Sequence, residues 1–169
     1  SLPPGVTLPV NRVVTTVNGS EAEVSGAEIS FSHNLVALPG ALSGLFVEGN
    51  LTLATSEATI SSRPGETFPF PQQADVTGNL SLGWENDTFS ARASLTHTGE
   101  RLQGVGDVAR PFEDRYRAAY TQVDVNLRWN INETFQLYAD GINLNDARET
   151  RFYTGPDYGN FYERVQDFG

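Results

Sequence analysis

The segment YTQVDVNLRWNINETFQLYADGINLND, residues 120–146, decides the fold class of this chain. In its first half every second residue is apolar, which is the period of a β-strand with one apolar face. The apolar residues are Val123, Val125, Leu127, Trp129 and Ile131, and those between them are polar or charged. The alternation resumes at Phe135, directly after the polar stretch Asn132-Glu133. The segment therefore predicts a tight β-hairpin.

Four further segments alternate in the same way, and the whole set predicts about six strands in three hairpins. These segments are residues 12–35, 42–60, 76–85 and 88–99. The stretches between them are rich in Gly, Pro and polar residues, which is typical of loops. Asn18-Gly19 fits either a hairpin turn or a bulge in one long strand, and the unequal flanking pieces favour the bulge. Since no segment has a helical period, the predicted fold class is all-β with an antiparallel up-and-down meander.

The composition excludes several classes of function. Cysteine is absent, which removes disulfides, thiolate metal sites and cysteine nucleophiles. The net charge of −10 argues against nucleic acid as a partner. No apolar run approaches the roughly 18 residues of a transmembrane helix, although the strands of a membrane barrel carry a weaker signal.

No constellation of residues predicts an enzyme or a metal site. His33 and His97 are separate in sequence, and neither has an acidic or serine partner at a catalytic spacing. Residues 140–146 resemble a calcium loop in composition, but they lack its ligand spacing and its terminal Glu. We therefore expect no catalytic residue and no cofactor.

Loop lengths and aromatic positions favour a transmembrane barrel over a soluble β-sandwich, although both have one apolar face. The turns at Asn86-Asp87 and Asn132-Glu133 are short, whereas the connections at the other end are long. Outer-membrane barrels show this asymmetry, with short periplasmic turns and long extracellular loops. Large aromatic residues flank the short turns in the apolar phase, as in the aromatic girdle at a membrane interface. These girdle residues are Trp84, Phe89, Trp129 and Phe135, and Tyr116, Tyr120, Phe152 and Tyr153 are predicted to form the opposite girdle.

The chain also resembles the C-terminal β-barrel segment of a TonB-dependent outer-membrane receptor. The segments that carry the resemblance are residues 17–31, 38–57, 68–85, 89–102, 120–146 and 151–155, and they occur in the family's order. The resemblance implies a 22-stranded barrel, of which this chain would form strands 16 to 21 and lack the last strand. We therefore expect residues 1–169 to be a partial barrel domain without the plug domain.

The resemblance implies a transporter and not an enzyme. Such receptors import scarce ligands, such as ferric siderophores, cobalamin or oligosaccharides, across the bacterial outer membrane. The implied partners are outer-membrane lipid, an N-terminal plug domain, the remaining barrel strands, and an inner-membrane energy-coupling complex that acts through the N-terminal part of the receptor.

Five charged residues share the polar phase of the strands: Glu48, Arg92, Asp124, Arg128 and Asp140. If the apolar face meets lipid, these residues face the lumen, where charge is tolerated. Mutual ion pairing that holds the wall is favoured over direct contact with a permeating ligand. We expect ligand specificity to lie in the loops 61–73, 100–114 and 154–167. The candidate contacts in these loops are Arg63, Arg101, Arg110, Tyr158 and Tyr162.

Two other functions stay open from the sequence. A passive porin barrel would need no plug or energy coupling. A soluble β-sandwich that binds carbohydrate would use the loop aromatics as a platform and would fold in buffer without detergent. We expect instead that this segment alone is not a stable soluble monomer, because it would have unpaired edges and an exposed apolar face.

Overall fold

The computed structural model describes residues 21–61, 63–106, 109 and 113–154, and the backbone of residues 161–163. Within these ranges the first strands are β1 (Glu21–Asn34), β2 (Leu45–Thr59), β3 (Thr67–Phe68), β4 (Val76–Glu85), β5 (Phe89–Thr98) and β6 (Arg101–Gly104). They are followed by β7 (Asp114–Arg117), β8 (Tyr120–Asn130), β9 (Gln136–Gly141), β10 (Arg151–Thr154) and β11 (Phe161–Glu163). One 3₁₀ helix, Gly40–Gly44, lies between β1 and β2. No helix of the described residues is long and apolar enough to cross a membrane.

The strands form two antiparallel sheets that continue one another. The larger sheet has the order β1-β2-β4-β5-β8-β9 with β3 beside β2, and the smaller has the order β11-β10-β7-β6. Thr98 lies opposite Tyr120 in the first sheet, and Arg101 lies opposite Arg117 in the second. Three residues separate Thr98 from Arg101 on one strand, and three separate Arg117 from Tyr120 on its neighbour. β6 therefore continues β5, and β7 continues β8, in the same register. The predicted antiparallel meander is confirmed, and the sheet is not closed within the described residues.

The cross-strand register gives the large sheet two chemically different faces. Leu80 lies opposite Leu95 on one neighbour and opposite Gly49 on the other, and Leu95 lies opposite Val123. We call the side that carries these residues the apolar face and the opposite side the polar face. Leu80 is 49% exposed, since nothing among the described residues covers the apolar face at this point. A wall with one uncovered apolar face is the geometry of a barrel in lipid.

The connections differ between the two ends of the sheet. Residues 86–88 and 131–135 are short turns at one end, which we call the turn end. The chain also passes from β1 to β2 at this end, where Gly40 has a φ of +60° that favours glycine. The longest connections, residues 60–75 and 99–119, lie at the other end, which we call the loop end. The predicted asymmetry of the loops is therefore present.

The two short turns share one local structure. Their sequences are Asn-Asp-Thr-Phe and Asn-Glu-Thr-Phe. Asn86 Oδ1 accepts hydrogen bonds from the backbone N–H groups of Thr88 at 2.9 Å and Phe89 at 2.7 Å. Asn132 Oδ1 accepts the same two bonds from Thr134 and Phe135, both at 2.9 Å. The asparagine side chain thus satisfies two backbone donors that the turn leaves without a strand partner.

Replacing Asn132 by alanine is expected to lower the free energy of unfolding by about 1–3 kcal/mol, because both backbone donors lose their acceptor. The measurement is urea unfolding of the receptor in detergent. Asn130→Ala is the matched control, because Asn130 lies on the adjacent strand end and its side chain satisfies no backbone donor. It donates to the carbonyl of Asp87 at 3.1 Å and accepts from Gln136 Nε2 at 2.6 Å. Equal losses for the two variants would contradict this account of the turn.

The predicted loops contain three short strands. Strands β3, β6 and β11 lie inside stretches that were predicted to be loops, because two-residue to four-residue strands are too short to show a period. The choice between a turn and a bulge at Asn18-Gly19 falls outside the described residues.

The predicted second girdle is wrong for most of its members. Tyr120 lies opposite Thr98 in the polar phase, not the apolar one. Tyr116 and Phe152 lie opposite each other with stacked rings 5.5 Å apart, and Phe152 is only 4% exposed. These rings pack in the interior of the loop end, because continuing the alternation from Gln122 places even-numbered residues on the polar face.

Candidate functional site

The five charged residues of the predicted lumen set all lie on the polar face of neighbouring strands. Arg92 and Asp140 both lie opposite Asn126, so they share one cross-strand row. Asp124 lies opposite Ser94, and Glu48 lies opposite Ser81. Arg128 lies opposite Ser90 on one side and Tyr138 on the other. The period of two, which was visible in the sequence, is what places them on one face.

Arg92 is held by an aromatic ring as well as by a carboxylate. Its Nη2 lies 3.5 Å from Oε2 of Glu48, and its Cζ lies 5.0 Å from the ring centroid of Phe46. Phe46 is 5% exposed, and its ring occupies the space above Gly83, where a Cβ would come within 2.1 Å of the ring. Since both charged side chains are more than 40% exposed, the ion pair itself contributes about 0–1 kcal/mol. Because Gly83 has no side chain, the Phe46 ring can lie flat against the wall, and this ring holds the guanidinium of Arg92 in place.

The other three charged residues have no ion pair among the described residues. Asp140 accepts a hydrogen bond of 2.7 Å from Nδ2 of Asn126. Asp124 accepts bonds from Gln122 Nε2 at 2.9 Å and from the backbone N–H of Asn143 at 2.8 Å. The favoured hypothesis of mutual ion pairing therefore applies to Glu48 and Arg92 alone.

An open concavity of about 570 Å³ lies over the polar face near the turn end. Five charged or phenolic side chains line it, namely Glu85, Arg92, Arg128, Tyr138 and Asp140. Tyr138 is 72% exposed, and Arg128 makes no hydrogen bond or ion pair within the described ranges. The surface thus presents hydrogen-bond donors and two carboxylates to whatever occupies this side of the wall.

A second group of side chains forms a small core at the loop end. Leu102 is fully buried, and Phe68 and Phe152 are 7% and 4% exposed. The backbone N–H of Gln72 donates a bond of 2.7 Å to the carbonyl of Leu102, which ties the 60–75 connection to β6. Burial is also the main cause that raises the pKa of Tyr116 above its ordinary value. This core was missed from the sequence, because its members come from short strands and from a loop without a period.

A buried ion pair joins two of the loops at this end. Arg63 Nη1 donates to both carboxylate oxygens of Asp114 at 2.7 Å, and the two residues are 3% and 6% exposed. Asp114 also accepts a bond of 2.7 Å from the backbone N–H of Gly106. The remaining guanidinium nitrogens of Arg63 bind Glu66, and its Cζ lies 4.6 Å from the ring centroid of Phe68. The hydrogen bonding that Arg63 donates to Glu66 is the first cause that raises the pKa of Arg63 above its ordinary value.

A second ion-pair group uses one carboxylate between two guanidinium groups. Glu149 binds Arg101 with one oxygen and Arg117 with the other. The bond from Arg117 is the main cause that lowers the pKa of Glu149 below its ordinary value of 4.5, and partial burial opposes it. Glu149 thus links the 142–150 connection to β6 and β7.

The depressed pKa of Glu149 predicts a pH dependence of known sign. Its contribution to stability is fully present above pH 4.5, the ordinary value, and is lost as the pH falls through the lower folded value. The unfolding temperature of the receptor in detergent should therefore fall more steeply between about pH 5 and about pH 3 than that of Glu149→Gln. Parallel curves for the two proteins over this range would show that Glu149 gives no such contribution.

The loop residues that were predicted to contact ligand fall into three groups. Arg63 and Arg101 are engaged in the ion pairs just described, so they hold the loops together. Arg110 and Tyr158 lie outside the described residues. Tyr162 belongs to β11, where its backbone lies opposite Phe152.

Neither a metal site nor a calcium loop is found in the described part of the chain. No three acidic or histidine side chains come together there as a metal ion would require. In the 140–146 stretch, Asn143 Oδ1 accepts from the backbone N–H of Ala147 at 2.7 Å, and Asn145 bonds the backbone of Val123 and Thr121. These amides satisfy the edge of β8 where β9 ends.

The comparison with protein families agrees with this geometry. The family described as TonB dependent receptor-like, beta-barrel matches residues 2–144, which is well over half of the chain. The chain belongs to this family. Neither the curated proteins nor the solved structures gave a match. Membership assigns the receptor segment to a family of bacterial outer-membrane transport receptors, which is not a family of enzymes.

Proposed function

We propose that this segment forms part of the barrel wall and loops of an active-transport receptor that takes up a scarce ligand through the outer membrane. Ferric siderophores, cobalamin and oligosaccharides are the candidate ligands. The family match over residues 2–144 is the observation that carries the proposal. The uncovered apolar face supports it, because lipid would satisfy that face without a second sheet.

In this proposal the apolar face meets lipid and the polar face lines the lumen. Phe89 lies directly opposite Trp129, and the rings of Trp84 and Phe89 are 6.1 Å apart, so these aromatics form one band at the turn end. Phe135 continues the band and is 65% exposed. Such a band is typical of the lipid headgroup level, and short turns are typical of the periplasmic side of outer-membrane barrels. Both features support a turn end at the periplasmic interface.

The polar face would contact the plug domain or the passing ligand. All the charged residues of the predicted lumen set are candidates for this role, namely Glu48, Arg92, Asp124, Arg128 and Asp140. Arg128 is the best placed among them, because its guanidinium lies at the 570 Å³ concavity and has no partner in the described residues. An exposed arginine can bind carboxylate, hydroxyl or phosphate groups without first losing an internal bond.

Active transport is tested by measuring uptake in cells that make the complete receptor. Labelled ferric siderophore, cobalamin and oligosaccharide are each supplied at low concentration, with and without a protonophore that removes the energy source of the inner membrane. The proposal expects accumulation of one ligand that the protonophore abolishes. Uptake that continues unchanged with the protonophore would identify a passive porin instead.

A soluble carbohydrate-binding sandwich is the remaining alternative. The smaller sheet extends the larger one instead of stacking on it, so the described residues do not form the two layers of a sandwich. Expression of residues 1–169 alone in buffer and in detergent is the direct test. A cooperative soluble monomer in plain buffer would favour the sandwich.

A further inference from the structure

Four arginines form a patch at the loop end on the same side of the wall as the apolar face. Arg101 lies opposite Arg117, and Arg117 lies opposite Arg151, so three neighbouring strands place arginine in one row. Arg115 is two residues from Arg117 and therefore points to the same side. We call these four residues the arginine patch.

The continuous register fixes the side of the sheet. Leu95 pairs with Val123 on the apolar face, and Arg101 pairs with Arg117 six residues further along both strands. An even number of residues returns a strand to the same face. The next row, in which Leu102 lies opposite Tyr116, belongs to the opposite face and to the core at the loop end.

The patch has more positive than negative charge, although the whole chain has a net charge of −10. Glu149 is shared by Arg101 and Arg117, and Glu163 is the acidic residue whose backbone lies opposite Arg151. Glu113, two positions before Arg115, is a third acidic residue beside the patch. Four arginines are therefore accompanied by three acidic residues, which leaves one positive charge in excess.

Part of the hydrogen-bonding capacity of the patch is unused. Within the described residues, Arg115 and Arg151 make no hydrogen bond or ion pair, and Arg115 is exposed. Nη1 of Arg101 and Nε of Arg151 are buried donors without an acceptor. These two atoms are closed to solvent, so an anionic ligand would bind first to the exposed guanidinium of Arg115, which has no bond to other described residues to lose.

The height of the patch above the aromatic band matches the thickness of a bilayer. Arg117 and Trp129 are twelve residues apart on one continuous strand, which is about 40 Å at ~3.3 Å per residue. A strand tilt of about 35–45° reduces this to about 28–33 Å along the membrane normal. The hydrocarbon core is about 30 Å thick, so the patch lies at the opposite headgroup level.

We propose that the arginine patch binds the phosphate or carboxylate groups of anionic lipids in the outer leaflet. Guanidinium groups bind such oxyanions through paired hydrogen bonds, and basic clusters beside a membrane bind anionic headgroups. The inference rests on the proposed orientation of the wall in the outer membrane. It also explains why arginine, and not a second aromatic girdle, occupies this row.

The test is the binding of lipid A, a glycolipid with two phosphate groups, to the complete receptor in non-ionic detergent, titrated by native mass spectrometry. The double variant Arg115→Gln/Arg151→Gln removes two positive charges and breaks no ion pair of the described residues. Its affinity for lipid A is expected to be about thirtyfold lower. Glu149→Gln removes the competing carboxylate and is expected to tighten binding. Arg148→Gln, which removes an exposed arginine outside the patch, is expected to leave lipid A binding unchanged and is the control for the single variant Arg115→Gln.

Each alternative outcome is distinguishable. Equal lipid A binding by the parent and by Arg115→Gln/Arg151→Gln, with both proteins folded in detergent, would overturn the site and leave the transport proposal standing. Inorganic phosphate that displaces lipid A at equal concentration would overturn the lipid assignment in favour of a free anion. A parent receptor that folds only without detergent would overturn both proposals.

Discussion

Replacing Asp114 by alanine is expected to destabilise the loop end by about 3–5 kcal/mol, the range for removing one partner of a buried ion pair. Asp114 accepts two bonds from Arg63 Nη1 and one from the backbone N–H of Gly106. After the substitution, the guanidinium of Arg63, which is 3% exposed, keeps only Glu66 as a charged partner. The loss is measured by urea unfolding of the receptor in detergent.

The same substitution is expected to release the loops before the wall unfolds. The ion pair joins residues 51 positions apart, so it holds the 60–75 connection against β7. Limited proteolysis at Arg63 should therefore be faster in Asp114→Ala, while the strands of the large sheet stay protected.

Asp146→Asn is the matched control for this prediction. Asp146 pairs with Arg148 at 2.6 Å, but the two side chains are 75% and 61% exposed. Exposed pairs of this kind contribute about 0–1 kcal/mol, and asparagine tolerates the positive φ of 49° at this position. Similar losses for Asp114→Ala and Asp146→Asn would contradict the assigned importance of burial.

The strands of the wall could be predicted from the sequence, because each strand has its own alternation of apolar and polar residues. The alternation from Val123 to Trp129 predicts the strand, its faces and its hairpin without knowledge of the neighbours. The same phase correctly groups Arg92, Arg128 and Asp140 on one face. Tyr120 belongs to that face too, and extending the alternation by two residues from Gln122 would have shown it.

The loop end was not predictable in the same way, because its contacts join segments that are distant in the sequence. Nothing local distinguishes Arg63, which is buried in an ion pair, from Arg128, which has no partner in the described residues. The arginine patch likewise appears only when the register of β6, β7 and β10 is known. Register between strands depends on the whole sheet and on its loops, which a single sequence does not specify.

Replacing Leu80 by arginine is expected to lower the free energy of unfolding by about 2–4 kcal/mol, the cost of a charged side chain on the lipid face near the bilayer midplane. Leu80 lies between Gly49 and Leu95 and is 49% exposed on the apolar face. It is also about midway along β4 between the aromatic band and the row of the arginine patch. The measurement is unfolding of the receptor in lipid vesicles, where the apolar face meets hydrocarbon.

Asn79→Arg is the matched control, because Asn79 is the adjacent residue of the same strand and lies on the polar face. Its Oδ1 accepts a bond of 2.7 Å from Thr96, so the substitution costs one exposed hydrogen bond, about 1 kcal/mol. A charge on this side would face water or polar side chains and needs no burial in lipid. The orientation of the wall therefore predicts a larger loss for Leu80→Arg than for its neighbour. The reverse order would mean that the polar face, and not the apolar face, meets the membrane.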